Sequence, residues 1–300
     1  MDGLIPVRKP SGCTSHDVVA RLRRILGQKK IGHFGTLDPL ASGLLLAAAG
    51  KATRFFPFYG KRDKSYTGRI RLGFATDTYD AEGQPAGEDS GRYPDREDLR
   101  AAMDALVGPL LQRPPAFSAK KLAGRPLYDY ARRGRPVEAA AVPVTVAAFE
   151  LQAYAPPFVD FRVDCSSGTY IRSLAHDLGA ALGCGGHLAV LERTRIGEFR
   201  LESAPGLEEI QAAAECGDAG AFLVPMEALL PETPAFVLTE EGVARIRDGR
   251  RVEPSHLADP EAVFPPPDAI VRLLGGDGRL SALARLAPGE SAFAPFLVLL

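Results

Sequence analysis

The stretch Gly32-His33-Phe34-Gly35-Thr36-Leu37-Asp38-Pro39-Leu40-Ala41-Ser42-Gly43 is the most unusual in this chain of 300 residues. It reads as a glycine-punctuated loop holding one histidine and one aspartate. Basic residues precede it, and an apolar run, Leu44 to Ala49, follows and reads as a helix. A nucleotide-binding reading fails, because no Gly-x-Gly-x-x-Gly follows a strand and no Gly-x-x-x-x-Gly-Lys-Ser/Thr occurs anywhere. Taken alone, an aspartate before a proline is first a turn-former, and His33 alone carries no more weight.

Outward on the N-terminal side, Val18, Leu22, Ile25 and Leu26 fall on one helical face. Ser15 is placed to cap that helix, Asp17 suits its first turn, and Gly27 supplies the stop. Arg21, Arg23 and Arg24 then project toward water or an anion. On the other side, Ser65 to Gly73 alternates with period two, Tyr66, Ile70 and Leu72 on one face and Thr67, Arg69 and Arg71 on the other. That is a half-buried strand, so core packing is one reading of Tyr66. Asp95 is placed to cap a helix with Leu99, Met103 and Leu106 inward, while Phe161, Val163 and Cys165 alternate with Asp160, Arg162 and Asp164 in a further strand.

After Cys165, Ser-Ser-Gly-Thr ends the strand, Thr169 is placed to cap, and Ile171, Leu174, Ala175, Leu178 and Leu182 form a helical core stripe. Arg172 therefore lies in a first turn, a poor place for a cation by about 0.3–1 kcal/mol. An anionic partner in a site and a plain surface ion pair both answer that cost. Strands and helices mix without a regular βαβ repeat, which makes the fold class α+β.

At about 150 residues per domain the length suits two domains. With 46% hydrophobic and 24% charged residues the composition is that of a globular chain, not a disordered one. The longest apolar run is the six residues Leu44 to Ala49, against the roughly 20 that cross a bilayer. Asp2, Pro6, Arg8, Lys9 and Pro10 stand where a secretory signal would carry an apolar core, so the cytoplasm is the expected compartment. Cys13, Cys165, Cys184 and Cys216 are spaced for no zinc pairing, and neither metal nor disulfide is expected.

The net charge of −1 conceals an asymmetry. Residues 1 to 75 hold fourteen Lys/Arg against four acids, a net +10 and a polyanion footprint. Residues 113 to 135 add seven bases against Asp129 alone, in an insertion punctuated by Pro114, Pro115, Gly124, Pro126, Gly134 and Pro136. It reads as a mobile arm with one short helix signal at Leu127, Tyr128, Tyr130 and Ala131. Residues 205 to 300 are acidic, at −8. Pro225, Pro231 and Pro234 mark the expected boundary between residues 1–230 and a small β-rich module over 231–300.

His33-x-Gly35-x-Leu37-Asp38-Pro39-x-Ala41-x-Gly43-x-Leu45 resembles the catalytic motif of the TruB family of tRNA pseudouridine-55 synthases. Lys9-Pro10-x-Gly12-x-Thr14-Ser15 resembles the family's first motif. Lys64-x-Tyr66 and Thr76-Asp77-Thr78-x-Asp80-x-x-Gly83 resemble the segment after the catalytic loop. Pro115-x-Phe117-Ser118-Ala119-x-Lys121 with Tyr128-x-Tyr130-Ala131-Arg132-x-Gly134 is similar to an arm that grips RNA, and Ser167-Gly168-Thr169-Tyr170-Ile171-Arg172-Ser173-Leu174 is similar to the third motif. The matches run in order over nearly the whole chain. Two positions depart: Phe34 stands where a small or polar residue is usual, and Arg8 replaces an acid.

The resemblance implies a pseudouridine synthase catalytic fold, a mixed and largely antiparallel central sheet flanked by helices, with a PUA-like C-terminal domain. It implies isomerisation of the uridine at position 55, in the T-loop of tRNA, with no cofactor. Asp38 would act at the ribose as nucleophile or as base, and Arg172 would lower its pKa and aim it through a two-donor fork. Tyr66 would stack on the target base, and His33 would fill the stack vacated when the base flips. Tyr170 and Leu191 would line the pocket, and Lys121 and Arg132 would contact RNA. The partner implied is the tRNA T-arm, with no membrane and no obligatory protein partner, since the arm between Arg113 and Pro143 favours a stand-alone enzyme. Two other readings stay open: a non-catalytic RNA-binding or RNA-folding protein, and a glycosidic hydrolase, which would need a second carboxylate.

Overall fold

The computed structural model describes residues 1–118, 120–122, 124–135, 137, 139–286 and 292–300, without the side chains of Lys121, Leu122 and Arg132. The chain opens with β1 (Gly3–Lys9), α1 (Ser15–Ile25), β2 (Ile31–Phe34) and β3 (Ser42–Ala49). Thr14 caps α1, one residue before the expected Ser15. Its hydroxyl accepts from the Asp17 amide at 3.1 Å, and its own amide donates to the Asp17 carboxylate at 2.8 Å, a reciprocal box. Ser15 is thereby freed to turn inward, where its Oγ accepts from the Leu37 amide at 2.9 Å. The expected helix at Leu44 to Ala49 is a strand, and residues 32–34 of the expected loop belong to another, β2. A six-residue apolar run cannot separate helix from strand by period, and here it is buried on both faces at the middle of a sheet.

The body continues through α2 (Phe56–Tyr59), β4 (Lys64–Leu72), α3 (Arg96–Asp104), β5 (Gly108–Gln112), the hairpin β6 (Lys121–Leu122) and β7 (Arg125–Pro126), and α4 (Leu127–Arg132). Then come β8 (Val142–Ala155), β9 (Phe158–Cys165), α5 (Ile171–Ala181), β10 (Gly186–Ile196), β11 (Phe199–Arg200), α6 (Leu207–Glu215) and β12 (Val224–Pro225). These strands form one mixed sheet in the order β12-β1-β3-β10-β4-β9-β8-β5, with β2 added on β3 and β11 on β10. Its pairings are antiparallel except between β3 and β10, which run parallel where Ser42 faces Glu192 and Gly43 faces Arg193. The backbones approach so closely there that a β-carbon on Gly43 would sit 2.4 Å from the Arg193 carbonyl oxygen, and its φ of +106° also requires glycine.

Apolar parity works as expected in β4 and β9, whose Tyr66, Ile70, Leu72, Phe161, Val163 and Cys165 are buried in one cluster with Leu99 of α3 and Leu174 and Leu178 of α5. Asp95 caps α3 by accepting from the Glu97 and Asp98 amides. Leu106 and Leu182 fall just past their helix ends but still pack against that cluster. A second sheet, ordered β13 (Ala235–Val237), β14 (Ile270–Leu274), β15 (Leu280–Leu286) and β16 (Phe293–Val298), packs with α7 (Glu240–Arg247) around Phe236, Val271 and Phe293. Leu280, Leu283 and Leu297 from this sheet, with Leu299 just past its last strand, also join Leu4, Leu44 and Leu46, so apolar contact ties it to the larger one. Among the described residues no helix is long and apolar enough to cross a membrane.

Candidate active site

The loop between β2 and β3 is held by side chains from distant elements. Lys9, the last residue of β1, is fully buried, and its ammonium donates to the carbonyls of Ala41 at 2.6 Å, Pro10 at 3.0 Å and Pro39 at 3.5 Å. Arg193 of β10, 1% exposed, donates to Gly35 O at 3.0 Å and Leu44 O at 2.8 Å, bracing both ends of the loop. Ser15 holds its middle at Leu37. Asp38 is therefore carried on a loop whose carbonyls are fixed by two buried cations, which makes its position a property of the core.

Asp38 opens into a cleft of about 390 Å³ that Tyr66, Tyr170, Arg172 and Leu191 also line, so five of the eight expected site residues meet there. Arg172, 5% exposed, places its Nε 2.9 Å from the Asp38 carboxylate, and the awkward cation of a first turn is explained. The expected two-donor fork on Asp38 is not what forms. One terminal nitrogen lies 3.3 Å from the Asp80 carboxylate and donates to Thr78 O at 3.1 Å, and the other donates to Phe117 O at 2.9 Å. Nε has no aligned hydrogen-bond acceptor. The guanidinium is shared between two carboxylates and two carbonyls, and its hold on Asp38 is an ion pair.

Asp80 stands at the end of the Thr-Asp-Thr turn. Its carboxylate accepts from the Thr78 hydroxyl at 2.6 Å and the Glu82 amide at 3.1 Å, and it is almost fully buried. The side chain of Asp38 keeps 41% of its surface open. Arg172 does draw the Asp38 pKa down, as expected, but it does not set the net direction, which is up. Loss of hydration in the crowded cleft pushes the Asp38 carboxyl above the usual range, Arg172 pulls against that, and the like charge of Asp80 pushes further up.

Tyr66 is 6% exposed within the core cluster and also lines the cleft. Tyr170 precedes α5 and is fixed by Gln112 of β5, which accepts from its amide at 2.7 Å and donates to its carbonyl at 3.0 Å. That clasp takes the place expected for a Thr169 cap; the Thr169 hydroxyl donates instead to Ser166 O. Leu191 of β10 is buried on the cleft wall.

His33 is not among the cleft-lining residues. It sits on β2 edge-on to His16, ring centroids 5.7 Å apart, and burial, His16 and Arg193 in that order hold it below the ordinary histidine value. A neutral ring results, suited to stacking. Phe34 turns away from the cleft, nearly parallel to the Tyr59 ring at 6.1 Å, so its departure from the family pattern is absorbed in the core.

The expected RNA contacts Lys121 and Arg132 have side chains outside the described residues. Their segment forms the β6–β7 hairpin and α4, and its base is tied to the site through Phe117 O on Arg172 and Arg113 O on Ser173. Lys9, Lys64, Asp80 and Arg193 were not expected as site residues. Lys9, Lys64 and Asp80 lie inside motifs quoted above but have no local feature that announces a role, and Arg193 lies in none.

The family model described as "TruB family pseudouridylate synthase (N terminal domain)" matches residues 23–171, and "tRNA pseudouridylate synthase B C-terminal domain" matches residues 172–231. A protein of Solibacter usitatus named tRNA pseudouridine synthase B is 44% identical over 83% of this chain and 85% of its own length. One of the same name from Burkholderia mallei is 42% identical over 97% of this chain and 95% of its own. Among solved structures, an H/ACA RNP bound to a substrate RNA containing 2′-deoxyuridine aligns with TM-score 0.74 at 26% identity, over 99% of this chain and 85% of that one. A Cbf5-Nop10-Gar1 complex aligns at 0.73 and 28%, over 98% and 83%. With two family models matching residues 23–231 in succession and relatives 42–44% identical over most of its length, the chain belongs to the TruB family of pseudouridylate synthases.

Proposed function

We propose that this chain isomerises a uridine of tRNA to pseudouridine, and that the target is position 55 in the T-loop. The observation that carries the reading is a half-open aspartate, fixed by the core and paired to a buried arginine, facing a buried tyrosine across a cleft of about 390 Å³. A flipped uridine that enters with its base against Tyr66 presents its ribose C1′ to Asp38. Asp38 then attacks C1′ or removes a sugar proton, and Arg172 keeps its carboxylate in place. Tyr170 and Leu191 would bound the base, and His33, two residues before the cleft-lining Gly35, would fill the gap left in the RNA stack. No step calls for a cofactor.

The basic surface of residues 1–75 and the arm over 113–143, with Lys121 and Arg132, would neutralise phosphates of the T-arm. Residues 1–230 would form the catalytic domain and 231–300 a PUA-type module, acidic enough that its RNA contacts are few. On this reading the enzyme works in the cytoplasm without an obligatory protein partner. A second carboxylate does lie near Asp38, but Asp80 is 5% exposed and turned onto Arg172, so it does not offer a hydrolase its acid or base.

The test is purified protein with an unmodified tRNA transcript, followed by mapping of pseudouridine along the RNA. Pseudouridine at position 55 alone is expected. Free uracil would make the protein a hydrolase, and binding without reaction would favour the non-catalytic reading.

A further inference from the structure

At the Tyr66 end of the cleft two cations are buried side by side. Lys64 is 6% exposed and Arg193 1%. Both approach one point, the place a β-carbon on Gly35 would take: Lys64 Cε at 3.6 Å and Arg193 Nη1 at 3.7 Å. The partners they have are neutral: backbone carbonyls for both, and for Arg193 also the Tyr66 hydroxyl. Lys64 donates to Arg62 O at 2.6 Å and Gly60 O at 3.2 Å, which leaves one of its three ammonium donors unused. Among the described residues neither cation is paired with a carboxylate. Burial and then Arg193 lower the Lys64 ammonium to about 8, against the opposing pull of the Cys165 thiol and Asp63, so it is still largely charged at neutral pH.

Burying a cation without a counter-ion is unfavourable, and burying a second one beside it adds repulsion. Both line the cleft, so the counter-ion has a place to arrive from. Tyr66, opposite Arg193 in the β4–β10 pairing, and Leu191 line the same cleft, and an aromatic with an aliphatic side chain fits a nucleobase better than a phosphate.

When the C1′–N1 bond breaks, its electron pair leaves with the base, which becomes a uracil anion with charge spread over N1, O2 and O4. We infer that Lys64 and Arg193 form the binding site for this detached uracil anion, neutralising it while it turns and holding it until C5 faces C1′. The inference rests on the isomerase reading above. The same electron count then closes the cycle: C5 attacks C1′ as the bond that Asp38 made there breaks, or, where Asp38 took a sugar proton, as that proton returns to the sugar; the proton on C5 is then lost and N1 takes one up, with no oxidant, reductant or net proton change. The pair acts on a charge absent from the bound substrate, so it favours bond breaking over binding.

The experiment uses Lys64→Met and Lys64→Arg in the full chain, under single-turnover conditions at saturating enzyme. Two tRNAs carry uridine or 5-fluorouridine at the target, and breaking of the C1′–N1 bond is followed for both. Fluorine makes the departing base more acidic, so its anion needs less help from the protein. On uridine the Met variant should be slower by about 10²-fold, the size seen when one preorganised donor is removed from an anion site. The loss on 5-fluorouridine should be clearly smaller, the Arg variant should recover most of the rate, and tRNA affinity should not change. Equal losses on the two substrates would make Lys64 a merely structural residue and overturn the inference, as would a Met variant at full rate. Thermal unfolding accompanies each variant, and Lys64→Gln replaces the Met variant if that one is unfolded. A wild-type protein that makes no pseudouridine from the uridine tRNA is a separate outcome, and it removes the isomerase reading itself.

Discussion

The two ends of the cleft each bury a guanidinium, and they surround it with opposite company. Arg172 lies between two carboxylates, Asp38 at 2.9 Å and Asp80 at 3.3 Å. Arg193 lies beside another cation, and its donors go to the carbonyls of Leu44 and Gly35. At the first end the cation's charge is more than met by carboxylates of the protein itself, so the arginine is spent on orientation: it fixes where Asp38 points. At the second end carbonyl dipoles satisfy the hydrogen bonds without cancelling the charge, so positive potential is left facing the cleft. One residue type thus serves to aim an anion the protein owns and to await one it does not.

The sharpest way to break the contrast is Asp38→Asn, which keeps the shape and removes the charge the first end exists to aim. Isomerisation should vanish, tRNA binding should persist, and turnover above about a tenth of wild type would unseat Asp38 as the reactive group. Thermal stability should hold or rise. Because the folded-state Asp38 pKa is raised, the stability tied to its proton is fully present below the unfolded-state value and is lost as pH rises through the folded one. At neutral pH the wild type therefore carries a cost that asparagine does not.

Arg172→Lys comes next. One ammonium cannot span Asp38, Asp80, Thr78 O and Phe117 O together, so single-turnover rates should fall by about 10²-fold while affinity, set by distant phosphate contacts, stays put. Normal turnover would show that charge alone suffices; a large loss of affinity would make Arg172 a phosphate ligand. Asp80→Asn should cost less, about tenfold, through looser placement of Arg172. It also has a signature of its own. Removing a negative neighbour favours the ionised form of Asp38, so its pKa falls and the acid limb of kcat moves to lower pH. A limb that stays in place would show that Asp80 does not act on Asp38 through charge.

The smallest effect on chemistry belongs to a region outside both ends. Deleting Leu122 to Arg135 removes cations of the arm and should weaken tRNA binding, with a shallower dependence on salt, while turnover at saturating enzyme changes little. An unchanged affinity in a filter-binding titration would contradict the arm as an RNA contact.

What was legible in the chain is what local pattern encodes. Period two found β4 and β9, and period 3.6 with an Asp at position 95 found α3. Errors of one residue arose where two candidates adjoin, as at Thr14 and Ser15, since either hydroxyl can cap and only the Leu37 backbone decides which one turns inward. Leu44 to Ala49 was read as a helix because burial on both faces erases the alternation that marks a strand. The family motifs located Asp38, Tyr66 and Arg172. They did not disclose that Arg172 is divided between two carboxylates, or that Lys9 fastens the Asp38 loop, because those contacts join residues tens of positions apart in the chain. Charge balance around a residue is a property of the assembled cleft, and no window of sequence contains it.

The parallel contact of β3 with β10 has a consequence in time. It joins Gly43 to Arg193, and the hydrogen bond from Arg193 to Leu44 spans 149 positions of sequence. A chain emerging from the ribosome presents the Asp38 loop early but lacks the strand that braces it until some two-thirds of the protein has been made. Contacts of such long separation form slowly, because the intervening chain must be ordered first. Catalytic competence is therefore among the last properties the growing polypeptide acquires, and a truncated product ending before β10 keeps the motif without the machinery to use it.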